Sequence, residues 1–198
     1  MTAKVPHRFL VLAYRMPAKP TAGRVAVWRN LKKVGAVYLQ DSVCVVPDTA
    51  ALRRELVPVL ERIDESGGRY HLLPLRKAAP EEDEKIVALF VEQAEQHYRE
   101  IVENCEVNFV KEIEFEHFRK NFTYEEAEEI RMEFEKICTW FDRVEERDWF
   151  GAPSRESARS WLDKCESMLE EFEARVFEVN ATDGGEEPAL RAIEGGAA

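Results

Sequence analysis

The stretch Phe9-Leu-Val-Leu-Ala-Tyr-Arg15 is a short apolar run that ends on a cation, as a buried strand does where it leaves the core. It predicts a first strand over residues 8–14. A helix is predicted over residues 21–34, with Thr21 as its capping residue after Pro20. Its apolar face is predicted to carry Val27, Trp28, Leu31 and Val34. Two short β-branched runs, residues 36–40 and Val43–Pro47, then predict a hairpin.

The rest of the first third repeats this order with a second helix and a fourth strand. Asp48 or Thr49 is suited to cap the helix, and Gly67-Gly68 to end it. A strand is predicted over residues 69–75, and its Pro74 favours an edge of the sheet because proline lacks an N–H. The order β-α-β-β-α-β is that of the ferredoxin-like split unit.

The chain beyond Pro80 is predicted to be helical. Residues 81–120 are typical of one long helix or two, and Thr123-Tyr-Glu-Glu126 is a capping box that opens another helix. The apolar face predicted for that helix consists of Ala127, Ile130, Phe134, Ile137, Phe141 and Val144. A last helix is predicted from Ser154, with an apolar face of Trp161, Cys165, Met168 and Phe172. Antiparallel packing into a small bundle is the simplest arrangement. The predicted fold class is therefore α+β, with a basic ferredoxin-like module over residues 1–78, an acidic helical bundle over residues 79–179 and a flexible tail over residues 180–198.

The charges of the chain are unevenly distributed around a formal net charge of −11. Residues 1–77 carry 14 Lys and Arg against 6 Asp and Glu, whereas residues 78–198 carry 14 against 33. Such asymmetry indicates two parts with different partners, and the acidic part repels nucleic acid. The alternative is that the acidic helices are simply well solvated. No apolar run approaches the about 20 residues that span a bilayer, and no signal peptide is seen, so a cytoplasmic location is expected.

Cysteine and histidine give no indication of a metal or redox site. The cysteines are far apart in the sequence and include no C-x-x-C pair. No histidine pair has the spacing of metal ligands. No cofactor is therefore predicted. Structural roles are expected for His7, His71, His97 and His117, and buried structural roles for Cys44 and Cys165, because only exposed thiolates react readily.

The loop between the first strand and the first helix is the strongest candidate for a binding site. It carries Arg15 and Lys19, and the predicted helix presents its N–H groups and the positive end of its dipole near Thr21. Arg24 is placed on the inward side of the helix, where a buried charge needs a partner. That partner is either an oxyanion such as chromate, sulfate or phosphate, or a carboxylate of the acidic helical part.

The opposite face of the first helix is predicted to be exposed and basic. Arg29, Lys32 and Lys33 are suited to contact a nucleic-acid backbone, an interaction that depends on salt and carries no sequence information. No helix-turn-helix pattern accompanies them. The alternative is an ordinary solvated face.

Several stretches resemble the N-terminal domain of ChrB-type chromate resistance proteins. They occur in both halves of the chain and in the order expected for that family. They are Tyr14-Arg-Met-Pro-Ala-Lys-Pro-Thr-Ala-Gly-Arg-Val-Ala-Val-Trp-Arg29, Gly35-Ala-Val-Tyr-Leu-Gln-Asp-Ser-Val-Cys-Val-Val-Pro-Asp48, Asn121-Phe-Thr-Tyr-Glu-Glu126 and Arg147-Asp-Trp-Phe-Gly-Ala-Pro153, followed by Trp161, Cys165, Phe172 and Val176.

The resemblance implies a chromate-responsive regulator of an efflux operon, or a component of one. Ferredoxin-like modules commonly pair through sheet edges, so a homodimer is expected by analogy. Full-length members carry a further C-terminal domain, so the other expectation is a partner that supplies it. The first module is also similar to the central domain of PaaX-type repressors, which resembles a small nuclease fold. Metal-dependent cleavage needs carboxylates, and the first strand ends without one at Tyr14-Arg-Met-Pro17, so we expect no enzyme activity. The alternatives are an oxyanion-binding protein that does not contact DNA and an interaction scaffold.

Overall fold

The computed structural model describes residues 8–183, which belong to two compact units. The first comprises the residues up to Arg99 together with Phe141–Glu156, and the second comprises Glu100–Trp140 together with the residues from Ser157 onward. The predicted division at residues 78 and 179 stays a prediction. His7 and residues 184–198 of the predicted tail lie outside the described residues, and residues 180–183 continue the last helix.

A four-stranded antiparallel sheet forms the centre of the first unit, and the mixed α+β class is confirmed. The strands lie in the order β2-β3-β1-β4, so β4 with Pro74 is an edge strand. The elements that build this part are β1 (Phe9–Arg15), α1 (Thr21–Lys33), β2 (Val37–Gln40), β3 (Val43–Pro47), α2 (Ala50–Glu65) and β4 (Arg69–Leu75).

The two crossover helices begin in different ways. Thr49 caps α2, because its Oγ1 accepts a hydrogen bond from the backbone N–H of Leu52 at 3.1 Å. The predicted cap at Thr21 is wrong, because Pro20 precedes the helix and offers no side-chain acceptor. Thr21 is instead the first residue of α1, and the N–H groups of its first turn have no side-chain partner.

The core of the first unit lies on both faces of the sheet, because successive strand residues point to opposite faces. Leu10, Leu12, Cys44 and Val46 pack against α1 and α2 on one face. The other face buries Phe9, Val37 and Val45 against Ile86 and Phe90, with Trp149 and Phe150 packed at the margin. Phe90 contacts the Trp149 ring edge-on at 5.4 Å between centroids.

A buried carboxylate organises the turn that follows residue 147. Both oxygens of Asp148 accept hydrogen bonds from the backbone N–H of Ala152, and Oδ1 also accepts one from Gly151. The hydroxyl of Tyr98 donates to Asp148 Oδ2 at 3.4 Å. Because Asp148 is only 7% exposed, these donors replace the water that the carboxylate loses on folding.

Arg147 connects the same turn to the C-terminus of α1. Its Nη1 donates to the backbone oxygens of Lys32 and Lys33, each at 3.2 Å. Burial lowers the pKa of Arg147, which still has these carbonyls as partners. Gly35 follows in a left-handed conformation, and a Cβ atom there would lie 2.8 Å from the Trp149 ring.

The second unit consists of helical segments, and it contains parts of helices that begin or end in the first unit. Thr123 caps the helix after it, because its Oγ1 accepts from the Glu126 N–H at 3.2 Å, as the capping box predicted. The helical elements after the sheet are α3 (Pro80–Glu103), a π-helical segment (Asn104–Phe109), α4 (Val110–Arg119), α5 (Tyr124–Glu145) and α6 (Arg155–Asp183).

Buried residues at spacings of three and four follow these helices. The predicted apolar face of α5 is confirmed, since all six of its members are buried: Ala127, Ile130, Phe134, Ile137, Phe141 and Val144. The predicted face of α6 is wrong in part. Cys165 and Phe172 are buried, but Leu162 and Leu169 are buried in place of Trp161 and Met168, which are half-buried.

The π-helical segment lies where buried residues recur every fourth position. Ile101, Cys105, Phe109 and Ile113 are all buried in the second unit. A regular α-helix turns fully in 3.6 residues, so a repeated spacing of four would rotate away from the core. The wider π turn keeps these four residues on one side of the helix.

Two of the cysteines that are distant in sequence are neighbours in the second unit. Cys105 and Cys165 are fully buried, and their side chains are hydrogen-bonded to each other. This hydrogen bond, together with burial, raises the pKa of Cys165.

Within residues 8–183, no helix is both long enough and apolar enough to cross a bilayer.

Candidate anion-binding cleft

A cleft of about 1180 Å³ opens on the first unit where β1 ends. Its walls come from the end of β1 and the following loop, the first two turns of α1, the β2–β3 turn and the start of β4. The lining residues are Tyr14, Arg15, Met16, Pro17, Ala18, Thr21, Arg24, Val25, Trp28, Tyr38, Asp41, Ser42, Gly67 and Arg69.

Positive charge dominates this cleft. Three arginines line it against one carboxylate, that of Asp41, which leaves a formal net charge of +2. Arg15 and Arg69 are register partners on the antiparallel strands β1 and β4. Like charges directly opposite each other are unfavourable in a sheet, and an anion between them offsets that cost.

The geometry of α1 brings Arg24 to the same cleft. Thr21, Arg24, Val25 and Trp28 follow one another at helical spacing, so they share one face of the helix. Arg24 is exposed on this face, and the prediction that it points inward is wrong. Trp28, predicted to belong to the apolar core, is 50% exposed because its position lies at the margin of the buried arc.

The N-terminus of α1 adds a favourable field to the arginines. Its first turn contains no acidic residue and receives no side-chain cap, and Thr21 of that turn lines the cleft. The helix dipole therefore presents partial positive charge at this end of the cleft. Within the described part of the first unit, the side chains of Arg15, Arg24 and Arg69 form no ion pair, so their charge is available to a ligand.

Two phenols form the wall next to the arginines. The hydroxyl oxygens of Tyr14 and Tyr38 lie 3.0 Å apart and share one hydrogen bond, which leaves one phenolic proton for a ligand. Burial raises the pKa of both tyrosines, and for Tyr14 the hydrogen bond with Tyr38 and, to a lesser extent, the nearby Arg24 guanidinium partly oppose this rise. Both phenols are therefore neutral at physiological pH.

We expect the raised pKa of Tyr38 to make the protein less stable at high pH. An unfolded tyrosine titrates near pH 10. Below that pH, Tyr38 is protonated in both states and its contribution to stability is complete. As the pH rises further, only the unfolded state loses the proton, so the free energy of unfolding falls by up to about 1.4 kcal/mol per pH unit.

Chemical denaturation between about pH 9 and pH 11.5 measures this effect. Tyr38→Phe removes the titrating hydroxyl, and its free energy of unfolding should fall less steeply than that of the wild type. Burial also raises the pKa of Cys44, to about 12, and this group is the same in both proteins. Parallel pH profiles for the two proteins would contradict the expectation.

Close packing of glycines positions the arginines at the cleft. A Cβ atom on Gly68 would lie 2.8 Å from the backbone oxygen of Arg15, so only glycine allows this approach of β4 to β1. A Cβ atom on Gly23 would lie 2.5 Å from Ser66 Oγ, next to the same turn. The N-terminal half of α1 and the start of β4 are therefore held close together.

The structure brings three of the four predicted anion-site residues to one cleft. Arg15, Thr21 and Arg24 line it, whereas Lys19 is exposed in the loop before α1 and does not. Arg69 was missed, because only the pairing of β1 with β4 brings it beside Arg15.

The three predicted nucleic-acid contacts lie outside the cleft. Arg29, Lys32 and Lys33 are exposed on the C-terminal half of α1. The Nζ of Lys32 lies 5.8 Å from the centroid of the ring of Tyr38, which lines the cleft. The basic face therefore reaches the rim of the cleft at Lys32.

These features define an α+β protein with a cationic cleft at one end of an antiparallel sheet. Residues 24–183 match the family described as "Protein ChrB, N-terminal", and the chain belongs to this family. The resemblance noted from the sequence is thereby confirmed, and family membership supports a role related to chromate resistance. The match includes Arg24 and Arg69, while Arg15 precedes it. Comparisons with curated proteins and with solved structures gave no match.

Proposed function

We propose that this chain is a non-enzymatic component of a chromate-responsive regulator, and that its cleft binds a tetrahedral oxyanion such as chromate or sulfate. The observation that carries this proposal is the convergence of Arg15, Arg24 and Arg69 on one cleft. Guanidinium groups bind oxyanions through paired, charge-assisted hydrogen bonds. The field at the N-terminus of α1 acts in the same direction.

A binding role fits the lining residues better than catalysis. The phenols of Tyr14 and Tyr38 have raised pKa values and stay protonated, so neither is suited to act as a base near neutral pH. The strand order β2-β3-β1-β4, with antiparallel neighbours, supports a ferredoxin-like module as the scaffold. Because that fold hosts many unrelated functions, the residues of the cleft determine what such a module binds.

The regulatory part of the proposal requires a link between the cleft and DNA. One face of α1 lines the cleft, and the same helix carries Arg29, Lys32 and Lys33 exposed to solvent. An anion bound in the cleft adds negative charge near this basic face, which weakens its attraction for phosphates. Anion binding would therefore release DNA.

The oxyanion site is tested by the melting temperature of the purified protein in chromate, sulfate and phosphate. We expect a rise of several degrees at saturating anion, because a ligand that binds only the folded state stabilises it. Arg24→Ala should abolish most of the rise. Arg29→Ala removes a neighbouring cation on the same helix outside the cleft, and it should keep the rise.

Sulfate separates binding from oxidation, because it has the shape and charge of chromate but does not oxidise thiols. A rise with chromate alone that persists in Arg24→Ala would place the effect at the cysteines and contradict the oxyanion site. The absence of a rise with any anion would also contradict it.

DNA binding through α1 is tested by fluorescence anisotropy with a labelled duplex. We expect the affinity to fall steeply with salt, with a log–log slope of roughly −3 for three phosphate contacts. Lys33→Glu should weaken binding at low salt, whereas Arg54→Glu changes an exposed cation of α2 and should have little effect. Equal losses for the two variants would indicate non-specific attraction and contradict the proposed face.

A further inference from the structure

An exposed tryptophan in the cationic cleft has no role in binding a bare oxyanion. Trp28 lines the cleft with half of its surface exposed, and Val25 beside it is 42% exposed. Both lie on the same face of α1 as Arg24. Large apolar side chains that remain exposed in a concave site usually contact a ligand.

The size of the cleft also exceeds what a small anion needs. The cleft measures about 1180 Å³. A five-atom oxyanion takes the place of roughly two or three waters, each with a share of about 30 Å³ of liquid volume. Such an anion fills less than about a tenth of the cleft, so the cleft has room for a larger group attached to the anionic part of a ligand.

We propose that the cleft binds an unpaired nucleotide, with its phosphate at the arginines and its base stacked on Trp28. The inference rests on the proposed function, because the same guanidinium groups hold the phosphate oxygens. It goes further by assigning the apolar wall to the base. Every nucleobase has a π face, so stacking on an indole ring does not require a particular base.

The distribution of charge in the cleft suits the two ends of such a ligand. Arg15 and Arg69 lie opposite each other at the sheet end, where the negatively charged non-bridging oxygens of a phosphate would offset their repulsion. The phenol pair of Tyr14 and Tyr38 supplies one hydroxyl proton to a sugar or phosphate oxygen. Arg24 lies one turn before Trp28, so α1 contributes both a cation and an aromatic surface.

The nucleotide is either free or part of a single strand, and the rim of the cleft distinguishes the two. Lys32 lies one turn beyond Trp28 and does not line the cleft. It is placed to contact the phosphate of a neighbouring nucleotide in a strand, and it is not needed for a mononucleotide. We therefore expect substitution of Lys32 to change the affinity for a single strand and not the affinity for a free nucleotide.

The test is isothermal titration of the full chain with AMP, UMP, inorganic phosphate and an eight-residue oligothymidylate. We expect the mononucleotides or the oligonucleotide to bind at least about fivefold more tightly than inorganic phosphate, since stacking on an aromatic side chain contributes about 5- to 160-fold per base. Trp28→Ala should lose that advantage and leave phosphate binding unchanged. Trp28→Phe keeps an aromatic surface and should retain most of it.

Two further variants complete the comparison. Leu39→Ala removes a side chain of similar exposure in the same unit that does not line the cleft, and it should bind as the wild type does. If the ligand is a strand, Lys32→Ala should weaken the binding of the oligonucleotide and leave the affinities for AMP and UMP unchanged. If the ligand is a free nucleotide, AMP or UMP should bind at least as tightly as the oligonucleotide.

The outcomes separate this inference from the proposed function. Equal binding of phosphate and nucleotides, unaffected by Trp28→Ala, would overturn the inference and leave an oxyanion site in place. Nucleotide binding that depends on Trp28, without any response to chromate or sulfate, would support the inference and contradict the oxyanion ligand. Binding of none of these ligands would overturn both.

Discussion

Asp148→Ala is expected to lower the free energy of unfolding by about 3–5 kcal/mol. The substitution removes the acceptor of the Gly151 and Ala152 N–H groups and of the Tyr98 hydroxyl. Hydrogen bonds to a charged group contribute about 1.5–3 kcal/mol each, and a buried donor left without an acceptor costs more. The turn after α5 loses its organising group.

Urea denaturation followed by circular dichroism and tryptophan fluorescence measures this change. Asp142→Ala is the matched control, because Asp142 is an exposed aspartate on α5 in the same unit, and its removal should change stability by less than about 0.5 kcal/mol. Asp148→Asn keeps one acceptor oxygen, and its free energy of unfolding should lie between those of the two alanine variants. Similar midpoints for Asp148→Ala and Asp142→Ala would show that the buried carboxylate contributes little.

Phe172→Ala is expected to destabilise the second unit by about 3–5 kcal/mol. Phe172 is fully buried, and its ring contacts His117 edge-on at 5.4 Å and Phe122 at 5.7 Å between centroids. Truncation removes the apolar surface of the ring and leaves a cavity that the surrounding helices fill only in part. The cost therefore includes both lost burial and lost contact with the two neighbouring rings.

Phe177→Ala provides the control on the same helix. Phe177 is 66% exposed, so its truncation removes little buried surface. Thermal unfolding of the two variants by circular dichroism should show a large fall in melting temperature for Phe172→Ala and almost none for Phe177→Ala. A comparable fall in melting temperature for both variants would show that Phe172 is not a main core residue of α6.

Local sequence patterns predicted the elements well where the interactions that form them are local. The strand Arg69–Leu75 was predicted with its observed ends. The caps at Thr49 and Thr123 form the expected hydrogen bonds, because an N-cap depends on residues within three positions. Apolar spacing likewise identified the buried face of α5.

The cleft was predicted only in part, because long-range pairing builds it. Arg15 and Arg24 were found from the loop that connects them, whereas Arg69 is brought to the site by the pairing of β1 with β4. Tyr14 and Tyr38 are 24 positions apart in the sequence and meet only across the sheet. Helical spacing predicted that Trp28 belongs to the core. The spacing of apolar residues along a helix does not show where the sheet under that helix ends, so the exposure of Trp28 could not be predicted.

The π-helical segment Asn104–Phe109 has a consequence for how the length of this chain can vary. A π turn holds one residue more than the α turn that would replace it. Deletion of one residue there would convert the turn to a regular helix and leave the residues on either side in the same register, because the π turn had absorbed the extra residue. Ile113 would then stay buried and Phe115 exposed. A second deletion in the same segment would instead rotate everything after it by about 100° relative to the residues before it. This helix can therefore lose one residue here without losing its buried face, but not two.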